Sequence, residues 1–320
     1  ASALSKIEWV DTHAHLNFNA YTNDVDEVIK RTLENDIWMI NVGTNYETSK
    51  RAVEIAGKYK KGVYSAIGLH PINIDTGLVK IKKDPSESKV SILEKEFNYE
   101  RYKELTISRK PSTRAKHDAG LVPHRNEVSG ARVVAIGEIG LDYYYKPKTK
   151  RKLELFKEKQ KEVLLKELNL AKELNLPVIF HCRMAHQDLI KFLLEHSEVR
   201  PQKAVAHGFV GNLEELQKYL DSGFFIGFNG IIFKKIEGIN FEENIKNTPL
   251  EKILIETDCP YLTPPLPAEA LAQAGPFEDQ RNEPLYVRYI ATAITKIKNI
   301  SYEKVAEITT KNAKNLFQFS

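Results

Sequence analysis

The chain has 320 residues, of which 42% are hydrophobic and 28% charged, and its formal net charge at pH 7 is +4. This composition is that of an ordinary globular protein. It excludes a histone-like basic tail, and it permits a polyanionic substrate without requiring one. No apolar run is long enough to cross a bilayer, and the first residues lack the basic and apolar regions of a secretion signal. We therefore expect a soluble intracellular protein, cytoplasmic or nuclear, in which Cys182 and Cys259 are buried free thiols.

Short apolar, β-branched runs alternate with helical patterns along the chain. Runs that are apolar at nearly every position are typical of strands covered on both faces, as in a parallel sheet. The candidate strands are residues 7–10, 37–43, 62–68, 132–137, 177–180, 203–206, 223–228 and 252–256. Eight strands that alternate with helices predict either a closed (β/α)8 barrel or a doubly wound open sheet.

The clearest helix pattern covers residues 151–175, where leucine, valine and alanine recur at helical spacing. Two further helices are predicted to begin at N-cap residues. These caps are Asn212, with Glu215 three residues on, and Ser301.

One stretch interrupts the alternation. About sixty residues separate His70 from the fourth strand, more than a single connecting helix needs. Residues 101–132 hold eight Lys or Arg against three Asp or Glu. We interpret residues 80–130 as a long basic insertion, partly helical near 87–105, within a single domain that covers 1–320. The insertion either supplies an electropositive surface or is a solvated loop.

Histidine and carboxylate residues follow the candidate strands where the strands end. His13 and His15 come one residue apart after the first strand, so both side chains project to the same face. The residues that follow later strands are His70, Glu138, His181, His207 and Asp258. In a closed barrel these strand ends share one rim, whereas an open sheet spreads them along a wide edge. The polar residues therefore favour a (β/α)8 TIM barrel.

These residues offer more ligands than one metal ion needs. Taken singly, each has a structural explanation, such as a helix cap or a packed core histidine. Their recurrence at the same point of the repeat is hard to produce by chance. Four histidines and two carboxylates exceed the four ligands of a tetrahedral zinc ion. They suit two divalent ions bridged by a carboxylate or by hydroxide, which activate water and clamp the oxygens of a displacement at phosphorus.

The sequence resembles the TatD-type metal-dependent deoxyribonucleases of the amidohydrolase-like superfamily. The resemblance runs nearly end to end and rests on seven motifs in the order of the family. They are V-D-T-H-A-H-L (10–16), A-I-G-L-H-P (66–71), V-A-I-G-E-I-G-L-D-Y (134–143), P-V-I-F-H-C-R-M-A-H (177–186), I-G-F-N-G (226–230), L-I-E-T-D-C-P-Y-L (254–262) and R-N-E-P (281–284).

The resemblance implies a nuclease that uses two divalent ions, Mg, Mn or Zn. It implies DNA as the substrate and a 3′-to-5′ exonuclease on single strands, with links to DNA repair and DNA fragmentation. We expect neither a membrane nor an obligatory protein partner. By motif position the ligands would be, for one metal, His13, His15 and Asp258, and, for the other, His181 and His207, with Glu138 bridging the two.

The resemblance also implies how the reaction proceeds. Activated water attacks the phosphodiester in line, and Asp258 orients that water and accepts its proton, which makes Asp258 and Glu138 the predicted catalytic pair. His70 and Arg183 match positions that face the substrate phosphate. The planar fork of arginine suits phosphate. The alternative for Arg183 is a salt bridge that holds a ligand loop.

The chain departs from the family pattern in two places. The sixth strand is followed by H-G-F-V-G (207–211), where Gly208 and Val210 replace residues that are usually polar. We expect this change to loosen the nearby metal or to shift its preference. Met184 follows H-C-R in place of Asp or Asn, which removes a hydrogen-bond acceptor from the surroundings of the metal.

Tyr143, Tyr144 and Tyr145 follow the G-L-D motif. Three consecutive tyrosines cannot all face one way, so at most one or two can stack on an unpaired base, at roughly 1–3 kcal/mol per base. Packing at the top of the fourth strand is the alternative.

Two other functions fit parts of the pattern. A lactone, amide or phosphoester hydrolase of the same superfamily would keep the barrel and the metals. Many such relatives bridge their metals through a modified lysine at the end of the fourth strand, and Glu138 at this position favours the nuclease. A non-catalytic nucleic-acid-binding protein is the third candidate, and the presence of all the expected ligands argues against it.

Overall fold

The computed structural model describes residues 8–82, 84–88, 93–107, 132–267 and 281–318. Within these residues eight parallel strands form one sheet in which each strand pairs with the next along the chain. The strands are β1 (Trp9–Ala14), β2 (Ile37–Val42), β3 (Val63–Ile67), β4 (Val133–Asp142), β5 (Val178–Arg183), β6 (Ala204–Ala206), β7 (Phe225–Phe228) and β8 (Ile253–Ile255). Each of them overlaps one of the predicted strands.

The sheet curls until the end of β8 meets the end of β1. The Asp258 N–H donates to the His13 carbonyl at 2.8 Å, and the His15 N–H donates to the Cys259 carbonyl at 2.9 Å. Ala14 and Cys259 form a parallel bridge. Because the last strand contacts the first, the open doubly wound sheet is excluded and the predicted TIM barrel is confirmed.

Helices connect the strands and pack their apolar faces against the sheet. Among the described residues the α-helices are α1 (Val25–Glu34), α2 (Tyr46–Gly57), α3 (Tyr99–Glu104), α4 (Lys150–Leu174), α5 (His186–Glu195), α6 (Leu213–Asp221), α7 (Phe241–Asn247), α8 (Val287–Lys298) and α9 (Tyr302–Phe317). Short 3-10 helices lie at Asn19–Tyr21, Pro71–Asn73, Gly230–Phe233, Leu250–Lys252 and Pro284–Tyr286. In the part of the chain that the structure describes, no helix combines the length and the apolar character of a membrane span.

Both predicted helix caps are confirmed. The Asn212 side chain accepts from the Glu215 N–H at 3.0 Å, and the Glu215 carboxylate accepts from the Asn212 N–H at 3.0 Å, which completes a capping box on α6. Ser301 caps α9 by accepting from the Lys304 N–H.

The predicted insertion between β3 and β4 is described in part. Helix α3 lies within the stretch that was predicted to be partly helical, whereas residues 108–131, which carry five of the twelve Lys and Arg residues of the insertion, lie outside the described residues. The segment 84–88 runs against the loop after β1. There the Asn19 N–H donates to the Glu87 carbonyl at 3.0 Å, and the Ala20 N–H donates to the Ser86 carbonyl at 2.8 Å. That residues 1–320 form a single domain stays a prediction.

The barrel is filled by buried side chains of its own strands. The strand side chains of Val10, Ile40, Ile179, Val205 and Leu254 share one buried cluster. Phe180 on β5 and Phe228 on β7 instead belong to the cluster that includes the apolar side chains of the helices. Cys182 and Cys259 are buried and free, as predicted. The interior is therefore a packed core, and the predicted site residues lie at one end of the barrel.

Gly140 marks the closest approach of β4 to β5. Its φ is +148°, and a Cβ placed on it would lie 1.9 Å from the carbonyl oxygen of His181. Only glycine fits this contact. The contact brings the two carboxylates of β4, Glu138 and Asp142, against the imidazole of His181 on β5.

We expect Gly140→Ala to lower the free energy of unfolding by about 2–4 kcal/mol, because the methyl group both collides with the His181 carbonyl and strains the backbone. Urea unfolding at constant m-value measures the change. The matched control is Gly57→Ala at the end of α2, where a Cβ meets nothing within 4 Å. That substitution should leave stability unchanged or raise it by about 0.5–1 kcal/mol. Equal midpoints for the two variants would contradict the tight contact.

Candidate metal centre

The structure brings the predicted site residues together at the carboxyl-terminal mouth of the barrel. A cavity of about 340 Å³ opens there. The predicted residues that line it are His15, His70, Glu138, His181, Arg183, His207 and Asp258. His13 is fully buried at its base and reaches the same carboxylates.

The buried carboxylate of Glu138 lies at the centre of this cluster, and its two oxygens face different histidines. Oε2 lies 3.4 Å from Nε2 of His13. Oε1 lies 2.8 Å from Nδ1 of His181 and 3.5 Å from Nε2 of His207. Burial by itself raises the pKa of this carboxyl, but electrostatic interactions with the imidazoles of His70, His207 and His13 outweigh burial and hold the pKa of Glu138 well below its usual value. The surroundings therefore favour an ionised carboxylate whose two oxygens lie nearest to different histidines, although the rings of His13 and His207 also stack on each other.

On the Oε2 side, ligand atoms of His13, His15 and Asp258 face one another at short distances. The Nδ1–H of His15 donates to the Val42 carbonyl at 2.8 Å, which leaves the lone pair of a neutral His15 ring on Nε2. That Nε2 lies 3.2 Å from Nε2 of His13 and 3.2 Å from Oδ1 of Asp258. Nitrogen lone pairs and a carboxylate repel one another at these distances unless a metal cation or a proton lies among them. This group fits a divalent ion, and the backbone contact of His15 fixes the tautomer that such an ion needs.

On the Oε1 side, Asp142 orients His181. Oδ2 of Asp142 lies 2.9 Å from Nε2 of His181, so Nδ1 is left to face Glu138. Burial lowers the pKa of His181, but Asp142 and Glu138 outweigh it and raise that pKa to about 9. Asp142 was not among the predicted site residues. The spacing of four residues from Glu138 on one strand is the signal that could have identified it, because such residues share a face.

His207 is oriented in the same way by Glu256, which was also not predicted. Nδ1 of His207 lies 2.7 Å from Oε1 of Glu256, and Nε2 faces the Glu138 carboxylate. Burial lowers the pKa of His207, but Glu256 and the other carboxylates raise it to about 10. Glu256 also accepts from the Gly208 N–H at 2.6 Å and from the Asn229 amide at 3.2 Å. A carboxylate behind each of these two histidines is typical of metal centres.

The departure at Gly208 from the family pattern has a structural explanation. Gly208 has a φ of +50°, and a Cβ on it would lie 2.9 Å from the Asn229 amide nitrogen. Glycine therefore suits the turn that lets the Gly208 N–H bind Glu256. The Val210 carbonyl accepts from Nε2 of His186 at 3.0 Å. Met184 is 63% exposed, and the acceptors beside His181 are carboxylates of β4 rather than residue 184. Whether metal affinity is weakened stays a prediction.

His70 differs from the other histidines because its lone pair is already used. Nδ1 of His70 accepts from the Ile72 N–H at 3.0 Å, so the hydrogen of the neutral ring is on Nε2. Burial, together with the charge of His181, lowers the pKa of His70 to about 3, which keeps the ring neutral. Nε2 lies 3.6 Å from Oε1 of Glu138. His70 thus presents a hydrogen-bond donor to the cavity, which suits a substrate oxygen and not a metal ion.

Arg183 is exposed at the rim, and its guanidinium carbon lies 3.6 Å from the ring centre of Tyr144. Within the described ranges Arg183 forms no salt bridge with an acidic residue. The alternative role, a salt bridge that holds a ligand loop, is therefore not supported. Arg183 lines the cavity of the metal centre, where it can contact an anionic substrate.

The described part of the insertion forms one wall of the cavity. Asp84 and Glu87 line it. The Tyr261 hydroxyl donates to Asp84 at 2.5 Å, and Glu87 accepts from the Asn73 amide at 3.0 Å and from the Thr44 hydroxyl. The insertion therefore narrows the mouth of the cavity on this side. The sequence alone did not decide whether the insertion covers the mouth.

Taken together, the donors fit divalent cations. Four groups of three His, Asp or Glu residues have ligand atoms within 4.8 Å of one another in the described residues, and all of them belong to this mouth. Mixed imidazole and carboxylate ligands suit Zn, Mn, Fe or Co, whereas Mg prefers oxygen.

Comparisons with known proteins show the family to which the chain belongs. A family model described as TatD related DNase matches residues 10–318. An uncharacterised metal-dependent hydrolase of Bacillus subtilis, YabD, is 33% identical over 97% of this chain and 99% of its own length. The 3′-5′ ssDNA/RNA exonuclease TatD of Klebsiella pneumoniae is 29% identical over 96% of this chain and 97% of its own. Among solved structures, the TatD homologue YJJV of Escherichia coli has a TM-score of 0.71 at 25% identity and covers 98% of this chain and 99% of its own.

We expect Glu256→Gln to weaken metal binding by about 10- to 100-fold, because the neutral amide no longer holds His207 as an oriented, basic ligand. Calorimetric titration of the metal-free protein with Mn²⁺ or Zn²⁺ measures the change. The control is Glu214→Gln, an exposed partner of Lys218 on α6, which should bind metal as the unaltered protein does. Equal affinities for the two variants would show that Glu256 does not act on the metal centre.

Proposed function

The chain belongs to the family of TatD-related DNases, and on that premise we propose that it is a divalent-metal-dependent deoxyribonuclease that removes nucleotides from the 3′ end of single-stranded DNA. The observation that carries the proposal is the buried Glu138 carboxylate, which presents one oxygen to His13 and the other to His181 and His207. A carboxylate with a ligand set on each side suits a pair of metal ions. Two ions side by side suit displacement at a phosphodiester.

The six predicted ligands fall into two sets around this carboxylate. One set would hold an ion between Glu138 and His13, His15 and Asp258, and the other between Glu138 and His181 and His207. Divalent ions bound there, Mg, Mn or Zn, would supply two effects: they would lower the pKa of bound water, and they would neutralise charge on phosphate oxygens.

The chain's own residues supply the remaining chemistry. Asp258 sits between the two strands that close the barrel, held by its N–H on the His13 carbonyl, and its carboxylate can orient the attacking water and accept a proton. The Nε2–H of His70 and the guanidinium of Arg183 donate to the oxygens of the phosphate as negative charge builds on them. The arginine fork offers two parallel donors, which fixes the orientation of the phosphate.

The name of the Klebsiella relative supports both the polarity and the single-strand preference, and it also makes RNA a substrate to test. The first relative named above is known only as a metal-dependent hydrolase, so the bond that is cleaved has to be established by assay. A role in DNA repair or fragmentation and a cytoplasmic or nuclear location stay predictions.

With end-labelled single-stranded DNA and Mg²⁺ or Mn²⁺, we expect a ladder of products that shorten by one nucleotide at a time from the 3′ end. A chelator should stop the reaction, and added metal should restore it, because the ligand groups are incomplete without a cation. A 3′-phosphorothioate-protected strand is the control and should resist degradation.

Other outcomes of this assay lead to different conclusions. Discrete internal cuts would make the protein an endonuclease. Cleavage of lactones but of no DNA would place it with the other hydrolases of the superfamily. Binding of DNA that survives chelation without any cleavage would identify a binding protein.

We expect Glu138→Ala to reduce turnover to the background rate while the barrel stays folded, since the substitution removes one ligand atom from each set. Turnover of labelled DNA measures the activity, and circular dichroism with metal titration reports folding and the number of ions bound. Glu195→Ala, which removes an exposed partner of Lys191 on α5, is the control and should retain full activity. Wild-type rates in Glu138→Ala would refute the bridge.

A further inference from the structure

The three consecutive tyrosines after β4 occupy different environments. Tyr143 is 5% exposed, and its hydroxyl donates to Asp188 at 3.0 Å, so it belongs to the packed interior. Tyr144 and Tyr145 are 48% and 45% exposed, and their rings meet edge to face at a centroid distance of 4.8 Å. Packing in the interior accounts for a tyrosine at position 143. It does not account for the tyrosines at positions 144 and 145, which are largely exposed.

Tyr144 and Arg183 form a pair, which we call the stacking pair, between two cavities. The guanidinium of Arg183 lies over the Tyr144 ring, with its central carbon 3.6 Å from the ring centre. Arg183 lines both the cavity of the metal centre and a second cavity of about 650 Å³, and Tyr144 lines only the second one. A molecule with its phosphate at the metal centre can therefore extend across Arg183 into the second cavity.

The walls of the second cavity suit a neutral, flat group. Alongside the stacking pair they include the apolar side chains of Met184, Ile236 and Ile239. The cavity is also lined by the carboxylates of Asp188, Glu215 and Glu237 and by the cations of Lys157, which pairs with Asp188, and Arg183. The carboxylates outnumber the cations, so a phosphate is disfavoured there. A nucleobase has no charge and carries hydrogen-bond donors that a carboxylate can accept. The volume lies within the range of about 300–1,000 Å³ that is usual for ligand pockets.

A hydrogen-bond chain fixes the stacking pair relative to the metal centre. Asp142 accepts from the Tyr144 N–H at 2.9 Å through Oδ1, while its Oδ2 lies 2.9 Å from Nε2 of His181. The carbonyl of Arg183 accepts from the Tyr143 N–H at 3.0 Å. One carboxylate thus orients a predicted metal ligand and the backbone that carries the exposed ring.

We propose that the stacking pair of Tyr144 and Arg183 is a subsite for one unpaired nucleobase of the strand whose phosphate lies at the metal centre. This inference rests on the nuclease function proposed above. Aromatic rings and guanidinium planes both stack on bases without regard to base identity. A base inside a duplex is stacked and paired, so it cannot enter the second cavity. The subsite therefore selects single-stranded ends of any sequence.

Equilibrium binding tests the subsite without any need for cleavage. The metal-loaded protein is titrated with thymidine 5′-monophosphate and, separately, with inorganic phosphate. We expect the nucleotide to bind more tightly than phosphate and Tyr144→Leu to reduce that preference by about 5- to 100-fold, the range that stacking on one aromatic side chain gives. Tyr144→Phe keeps the ring and should keep the preference.

The same variants are then compared on two phosphodiesters with one leaving group, the p-nitrophenyl ester of thymidine 5′-monophosphate and methyl p-nitrophenyl phosphate. The ratio of kcat/KM for the nucleotide ester to kcat/KM for the methyl ester should fall in Tyr144→Leu and persist in Tyr144→Phe. An equal loss on both esters would make Tyr144 a structural residue and overturn the subsite. An unchanged binding preference in Tyr144→Leu would overturn it as well.

The two proposals can fail separately. If the unaltered protein cleaves no DNA but still binds the nucleotide more tightly than phosphate in a manner that depends on the Tyr144 ring, the nuclease function is wrong and the base subsite stands. If the protein degrades DNA while Tyr144→Leu keeps the full preference for the nucleotide, the nuclease function stands and the subsite is wrong.

Discussion

A carboxylate that is buried among imidazoles stays ionised only if positive charge surrounds it, and Glu138 imposes this condition on the mouth of the barrel. Moving an isolated carboxylate out of water costs several kcal/mol even after the protein relaxes. Here the surrounding nitrogens of His13, His181 and His207 lie 2.8–3.5 Å from its two oxygens. Imidazoles that are neutral offer lone pairs instead of charge, so the whole group is completed by metal cations or by protons. The histidines around Glu138 are therefore placed where they can bind the cations or protons that the buried carboxylate needs.

The surrounding residues decide which nitrogen each histidine presents. The Val42 carbonyl fixes the tautomer of His15, and the N–H of Ile72 occupies the lone pair of His70, which makes the first a candidate ligand and the second a donor. Asp142 and Glu256 do the same for His181 and His207 from behind. Residues of one type, at similar positions of the repeat, thereby take different roles. The chemistry proposed for each depends on these contacts as much as on residue identity.

The sequence predicted the strands, the closed barrel and the residues that meet at its mouth, and membership of the TatD-related DNase family is confirmed. Prediction succeeded because parallel strands expose their carboxyl ends on one rim, so residues that follow strands must converge. It missed Asp142 and Glu256. The predicted ligand sets did not include either residue. Only the orientation of the imidazole rings reveals that each carboxylate contacts the ring nitrogen of a candidate ligand that does not face Glu138.

By itself the sequence determined which side chains are available at the rim, because the alternation of strands and helices sets where each strand ends. Only the tertiary structure decided how they are used. The closure of β8 on β1 places Asp258 beside His15, 243 positions away along the chain, and the close approach at Gly140 brings β4 against His181. The tertiary structure also gives the tyrosines different environments, because it buries Tyr143 and places Tyr144 against Arg183. Ring orientation, tautomer and stacking depend on contacts between distant segments, and no local pattern of residues encodes them.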